Sequence, residues 1–120
     1  MARVVLLVED DGDLRRLYKR VFETAGFDTI EAGDGARAIA ALGRQRPDAV
    51  LLDIAMPEVA GTTVIDHIRQ KLNWDDLPII VITAYPYFLE SSQAAGATHT
   101  LLKPVEMDDV VQIVRQSVGV

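Results

Sequence analysis

A doubly wound α/β sandwich, five strands each followed by a helix, is the fold predicted by this 120-residue sequence. Two observations carry the prediction. Five short apolar runs alternate with five segments of helical period, the pattern of repeated strand–helix units. The runs are mostly continuous rather than alternating in polarity, as strands of a parallel sheet buried on both faces must be. Right-handed crossovers leave few strand orders. The polarity of the second strand, which suits an edge, selects 2-1-3-4-5.

The first strand is Val4-Val5-Leu6-Leu7-Val8. Leu14, Leu17, Tyr18, Val21, Phe22 and Ala25 then recur at helical spacing, one apolar stripe facing a core, and Gly26 stops that helix. A weaker strand of mixed polarity covers residues 27–31. The second helix runs from about Asp34 to Arg44, with Ala38, Ile39 and Leu42 inward and Gly43 and Pro47 ending it. Ala49-Val50-Leu51-Leu52 is the third strand. Past a loop with Met56-Pro57 and Gly61, Val64, Ile65, Ile68 and Leu72 mark the third helix. Pro78 precedes the fourth strand, Ile79-Ile80-Val81-Ile82, and a short fourth helix lies between Pro86 and Ala95. The fifth strand lies near Thr98 to Leu102, and Met107, Val110, Val111, Val114 and Val118 stripe the last helix. No linker divides the chain, so residues 1–120 are read as one domain.

Composition narrows the function. With 12 basic and 18 acidic residues the net charge is −6, so the basic footprint of a direct nucleic-acid binder is missing. No apolar run is long enough to span a bilayer, and Met1-Ala2-Arg3 leads into the first strand without a signal-peptide cleavage pattern. No cysteine is present, which excludes disulfides and thiolate metal sites and fits a cytoplasmic protein.

In such a sheet, ligands bind beyond the carboxyl ends of the strands, at the switch point between the first and third. Strand 1 ends in Glu9-Asp10-Asp11, strand 3 in Asp53, strand 4 in Thr83 and strand 5 in Lys103-Pro104. Acids converging from neighbouring strands repel one another unless protonated or bound to a cation. A hard ion such as Mg²⁺ suits that oxygen set and takes a phosphate oxygen as a further ligand. Lys103 adds a flexible point charge and Thr83 a hydroxyl donor. Carboxylate nucleophile, metal, cation and hydroxyl are the parts that phosphoryl transfer needs.

These residues carry a family resemblance. Val8-Glu9-Asp10-Asp11, Leu52-Asp53-Ile54-Ala55-Met56-Pro57, Gly61, Val81-Ile82-Thr83-Ala84 and Leu102-Lys103-Pro104 occur in order at the strand ends. From Arg3 to Val118 the chain resembles the response-regulator receiver family of two-component signalling, whose fold is flavodoxin-like. The resemblance implies that Asp53 is the phosphoacceptor and that Mg²⁺ (or Mn²⁺) is held by Asp10, Asp53 and the Ala55 backbone carbonyl, with Glu9 acting through metal-bound water. It further implies Thr83 as the switch hydroxyl, Lys103 as its cationic partner and a cis Lys103–Pro104 bond. The implied phosphodonor is a histidine kinase or phosphotransfer protein. Signalling to a downstream protein would pass through the face made by the fourth helix, fifth strand and fifth helix, in a monomer or a phosphorylation-dependent dimer.

Three features depart from the family pattern. Its switch partner, three positions before the lysine, is usually aromatic, and here it is Thr100. The stretch from Thr83 to Gly96 is short and rich in aromatics: Tyr85, Tyr87 and Phe88 either repack the shortened helix or form an exposed partner-binding patch. The positions two beyond Asp53 and Thr83 are Ala55 and Tyr85, neither suited to orient a hydrolytic water, so a long-lived aspartyl phosphate is expected.

Blander assignments hold elsewhere. Asp11 is read as a helix N-cap, Asp13 as a first-turn charge, and His67 and His99 as structural residues. Gly33-Asp34-Gly35 is a turn and helix start, without dinucleotide-fingerprint spacing. Among rival functions, an aspartate-nucleophile phosphatase needs an acid where Ala55 stands. A flavodoxin-like cofactor carrier needs hydroxyls and glycines where Glu9, Asp10 and Asp11 stand. A receiver that binds partners without phosphorylation is disfavoured because the acceptor set is complete.

Overall fold

The computed structural model describes residues 2–54 and 59–120, with only the backbone course described at 54 and 59–61. Strands β1 (Val4–Val8), β2 (Asp28–Ala32), β3 (Ala49–Ile54), β4 (Ile79–Thr83) and β5 (His99–Leu102) alternate with helices α1 (Gly12–Thr24), α2 (Gly35–Arg44), α3 (Val59–Asp66), α4 (Tyr87–Ala95) and α5 (Met107–Val118). The sheet is parallel throughout, in the order β2-β1-β3-β4-β5. Fold class and strand order are those expected from the sequence.

Strand alternation sorts the continuous apolar runs into two core layers. Leu6, Val8, Val50, Leu52, Ile79 and Val81 face Ala38, Leu42, Val64, Ile65, Ile68 and Phe88 of α2, α3 with its continuation, and α4. Val5, Leu7, Leu51, Ile80 and Ile82 face Tyr18 and Phe22 of α1 and Val110, Val111 and Val114 of α5. This double burial is why these strands read as unbroken apolar runs while β2, at the edge, does not.

Helix ends follow the expected signals. The Asp11 carboxylate caps α1 by accepting from the amides of Asp13 and Leu14 at 2.9 and 3.2 Å. Gly26, at φ +98°, turns the chain out of it. Asp34 caps α2 by accepting from Arg37 N at 2.8 Å. Two inward assignments need correction. Leu17 is 42% exposed, because the α1 stripe centres on Tyr18 and Phe22 and leaves Leu17 at its margin. In α2, Ala41 is buried where Ile39 is only partly so.

The third helix also differs: α3 continues into a π-helical turn, His67–Lys71, in which Leu72 N donates to His67 O at 3.0 Å. Arg69 on this turn donates to Trp74 O at 2.6 Å, to Gly96 O at 2.9 Å and to Thr98 Oγ1 at 3.3 Å. Gly96 ends α4 at φ +117°, and a Cβ there would stand 2.9 Å from Arg69 Cγ. One guanidinium thus ties the π turn to the end of α4 and the start of β5.

The short fourth helix is as expected, with Pro86 in helical conformation just ahead of its first residue. Its aromatics divide. Phe88 is buried and Tyr85 packs partly buried against the same layer, whereas Tyr87 is 60% exposed. Repacking therefore accounts for two rings, and the exposed patch shrinks to one. No helix among the described residues is long and apolar enough to cross a membrane.

Candidate functional site: an acidic pocket at the carboxyl end of the sheet

The pocket forms where β1 and β3, paired side by side, both end in acids. Glu9 is 1% exposed. Its backbone is held by its amide, donating to Ala32 O at 3.1 Å, and by Arg15, donating to Glu9 O at 2.8 Å. The Asp11 amide donates to Glu9 Oε1 at 2.9 Å, while Oε2 is buried with no hydrogen-bond partner among the described residues. Burial, above all, pushes the Glu9 carboxyl up to about 8; the Asp53 charge and contacts with the Asp10 and Asp53 carboxyls push the same way, against the Asp11 amide. Asp10, next along the chain, is exposed at the rim.

Asp53 is 5% exposed on β3 and shares its face with Leu51, two residues back, toward α1 and α5. Lys103 Nζ lies 3.0 Å from Asp53 Oδ1, an ion pair without the direction of a hydrogen bond. The Lys103–Pro104 peptide is cis, as the resemblance implied, and Lys103 N donates to Thr83 O at 2.8 Å. Glu9, Asp53 and Lys103 thus lie together at the carboxyl edge. Thr83 is fully buried at the end of β4, where its Oγ1 accepts from Tyr85 N at 3.1 Å rather than meeting Asp53. Thr100 is half-buried on β5 and accepts from Gln93 Nε2 of α4 at 3.3 Å. The Ala55 carbonyl lies outside the described residues.

One participant was missed. The Tyr18 hydroxyl donates to Asp53 Oδ2 at 2.6 Å from the buried face of α1. Burial and, next, the bond to Asp53 push this phenol well above its ordinary value, so it remains a neutral donor. The signal was available: a tyrosine at the centre of an inward stripe needs a partner for its hydroxyl, and Tyr18 was counted only as apolar.

The donor set fits a hard cation in part. Among the described residues no three His, Cys, Asp or Glu side chains form a metal-holding group. Mg²⁺, however, keeps several waters and typically takes only one or two carboxylates from protein. The unpartnered Glu9 Oε2 beside Asp53 is an oxygen-only corner of that kind.

The carboxyl edge of this doubly wound sheet thus holds a lysine-paired buried aspartate beside a second buried acid. Residues 5–115 match the response regulator receiver domain family. The chain is 30% identical over 118 residues to the sporulation initiation phosphotransferase F of Bacillus subtilis, covering 97% of this chain and 94% of the relative. It is 35% identical over 108 residues to the Regulator of RpoS of Escherichia coli, where 88% of this chain spans only 32% of the relative. The receiver domain of the sensor histidine kinase PA1611 of Pseudomonas aeruginosa, solved with a magnesium ion in its active site cleft, superposes over 100% of both chains with a TM-score of 0.87 at 28% identity. The chain belongs to the response regulator receiver domain family.

Proposed function

We propose that residues 1–120 form one receiver unit that accepts a phosphoryl group on Asp53 from a histidine kinase or phosphotransfer protein. The observation that carries this reading is the buried Asp53 carboxylate held by Lys103 beside the unpartnered Glu9 oxygen. An Asp53 oxygen attacks phosphorus while the bond from phosphorus to the donor imidazole nitrogen breaks. The bonding pair leaves with that nitrogen. Lys103 sits where it can follow the charge from the carboxylate to the phosphoryl oxygens. Asp10, Asp53 and the Ala55 carbonyl, with Glu9 acting through bound water, would hold Mg²⁺, which would supply charge neutralisation there; the magnesium in the Pseudomonas receiver supports that choice.

The Thr83 hydroxyl has a route to α4. Its Oγ1 now holds the Tyr85 amide, and Tyr85 O in turn accepts from Phe88 N at 3.0 Å. When the hydroxyl turns to the phosphoryl group, the Tyr85 amide is released at the head of α4. Thr100 joins the same face through Gln93, a polar link in place of a swinging aromatic ring. Phosphorylation thereby shifts α4, β5 and α5 between arrangements that a downstream protein distinguishes, in a monomer or a phosphorylation-dependent dimer. The cytoplasm is the compartment where such a donor would be met.

With an alanine two positions beyond Asp53 in sequence and a tyrosine two beyond Thr83, no amide or carboxylate at those positions orients water toward the acyl phosphate. Label transferred from a phosphohistidine donor is expected to persist after the donor is removed, followed by autoradiography over time. Prompt spontaneous loss would contradict the slow-hydrolysis reading, and no label at all would contradict the acceptor role.

A further inference from the structure

Asp53 has a second fixed partner besides Lys103. Tyr18, 1% exposed, stands with its ring among Leu7, Phe22, Leu51 and Val110 and its hydroxyl 2.6 Å from Asp53 Oδ2. Packing alone would be served by phenylalanine; a buried hydroxyl is tolerated because it has found an acceptor. A carboxylate turns easily about its last bond, since that torsion has broad wells. Lys103 reaches it on a flexible stem through a contact that is not a directed hydrogen bond, so it does not fix the carboxylate plane. The rigid phenol does. Its bond to Oδ2 comes from the buried face of α1, whereas Oδ1, itself buried, lies against the Lys103 side chain, which is 28% exposed.

We infer that Tyr18 is a positioning residue for phosphoryl acceptance: its hydroxyl sets the rotation of the Asp53 carboxylate and reserves Oδ2, so that Oδ1 forms the bond to phosphorus. This rests on the acceptor role proposed above. In the transfer, a lone pair of Oδ1 forms the new P–O bond, and the bond from phosphorus to the donor breaks with its electron pair leaving on the donor atom. Oδ2 then becomes the carbonyl oxygen of the acyl phosphate and still accepts from Tyr18, more weakly because the charge has gone. Without the phenol, the carboxylate plane is free to rotate, and Oδ1 is no longer held in one orientation for attack.

Tyr18→Phe removes one oxygen and keeps the ring. With a small acyl-phosphate donor and Mg²⁺, followed by intact mass, the rate at saturating donor is expected to fall about tenfold, the scale of one hydrogen bond to a charged group. The half-saturating donor concentration should stay the same, which a disrupted pocket would not permit. A measurement on the unaltered protein guards against a misfolded variant. The carbon-13 resonance of the Tyr18 Cζ, assigned by elimination with Tyr85→Phe and Tyr87→Phe, should move on phosphorylation as its acceptor weakens. An unchanged saturated rate in a folded variant, or a Tyr18 resonance that stays put, overturns the inference. If the wild-type chain takes up no phosphoryl group, the acceptor role itself fails, and the inference falls with it before any variant is compared.

Discussion

Glu9→Gln is expected to make the metal-free protein more stable at alkaline pH and to weaken its hold on Mg²⁺. The Glu9 carboxyl rises from 4.5 to about 8 on folding, chiefly through burial and then through the Asp53 charge. Between those values the folded state keeps a proton that the unfolded state releases. Stability therefore falls as pH rises through that window, by on the order of a few kcal/mol for such a shift. Glutamine carries no titrating proton, so that part of the decline should vanish from urea midpoints measured between pH 6 and about 9. Metal binding has the opposite slope. It requires the ionised carboxylate, so it releases a proton, and Mg²⁺ affinity in the wild type should climb toward pH 8. A ligand acting through bound water typically contributes about 10–100-fold in affinity, and that is the loss expected in Glu9→Gln by calorimetric titration. A variant that binds Mg²⁺ as tightly as the wild type would remove Glu9 from the site.

Lys103→Ala should be the most damaging single change to the charge balance of the pocket. Lys103 is the one cation paired with Asp53 among the described residues, at 3.0 Å, and the Asp53 side chain is 1% exposed. Breaking a fully buried pair costs about 3–5 kcal/mol. The lysine here is partly exposed, so about 2–3 kcal/mol is expected, read as a drop in the urea midpoint at unchanged slope. Phosphoryl uptake should fall further than stability alone accounts for, because the side-chain cation paired with Asp53 can no longer follow the charge onto the phosphoryl oxygens. Lys103→Met separates the two effects: it restores the packing of the stem without the charge, so uptake should stay low while part of the stability returns. Full uptake in either variant would show that Lys103 is a structural counter-ion and nothing more.

Most of this architecture is visible in the chain because parallel strands buried on both faces leave unbroken apolar runs. Val4–Val8 and Ile79–Ile82 could hardly sit anywhere but mid-sheet, and the mixed polarity of β2 marked its edge. Strand ends were legible for the same reason: where an apolar run breaks into Glu9, Asp53 or Lys103, the side chain is delivered to the carboxyl edge. Contacts between layers were not. The π turn after Asp66 keeps the same apolar spacing as an ordinary helix, so nothing in Val64, Ile65 and Ile68 announces it. Arg69 reads as a surface charge, yet it folds back over Gly96 and Trp74. Tyr18 was placed in the right stripe and given the wrong chemistry, since its partner comes from β3, 35 residues later. The Gln93 to Thr100 bond likewise joins two elements that sequence shows only one at a time.

Whether Asp53 accepts a phosphoryl group in a metal-assisted reaction is decided by intact-mass measurement. The chain is incubated with a small acyl-phosphate donor, with Mg²⁺ or with a chelator, beside Asp53→Ala. A gain of one phosphoryl group is expected in the wild type with Mg²⁺, and no gain under chelation or in Asp53→Ala. A folded wild-type chain that binds Mg²⁺ but gains nothing would contradict it, as would a gain that survives Asp53→Ala.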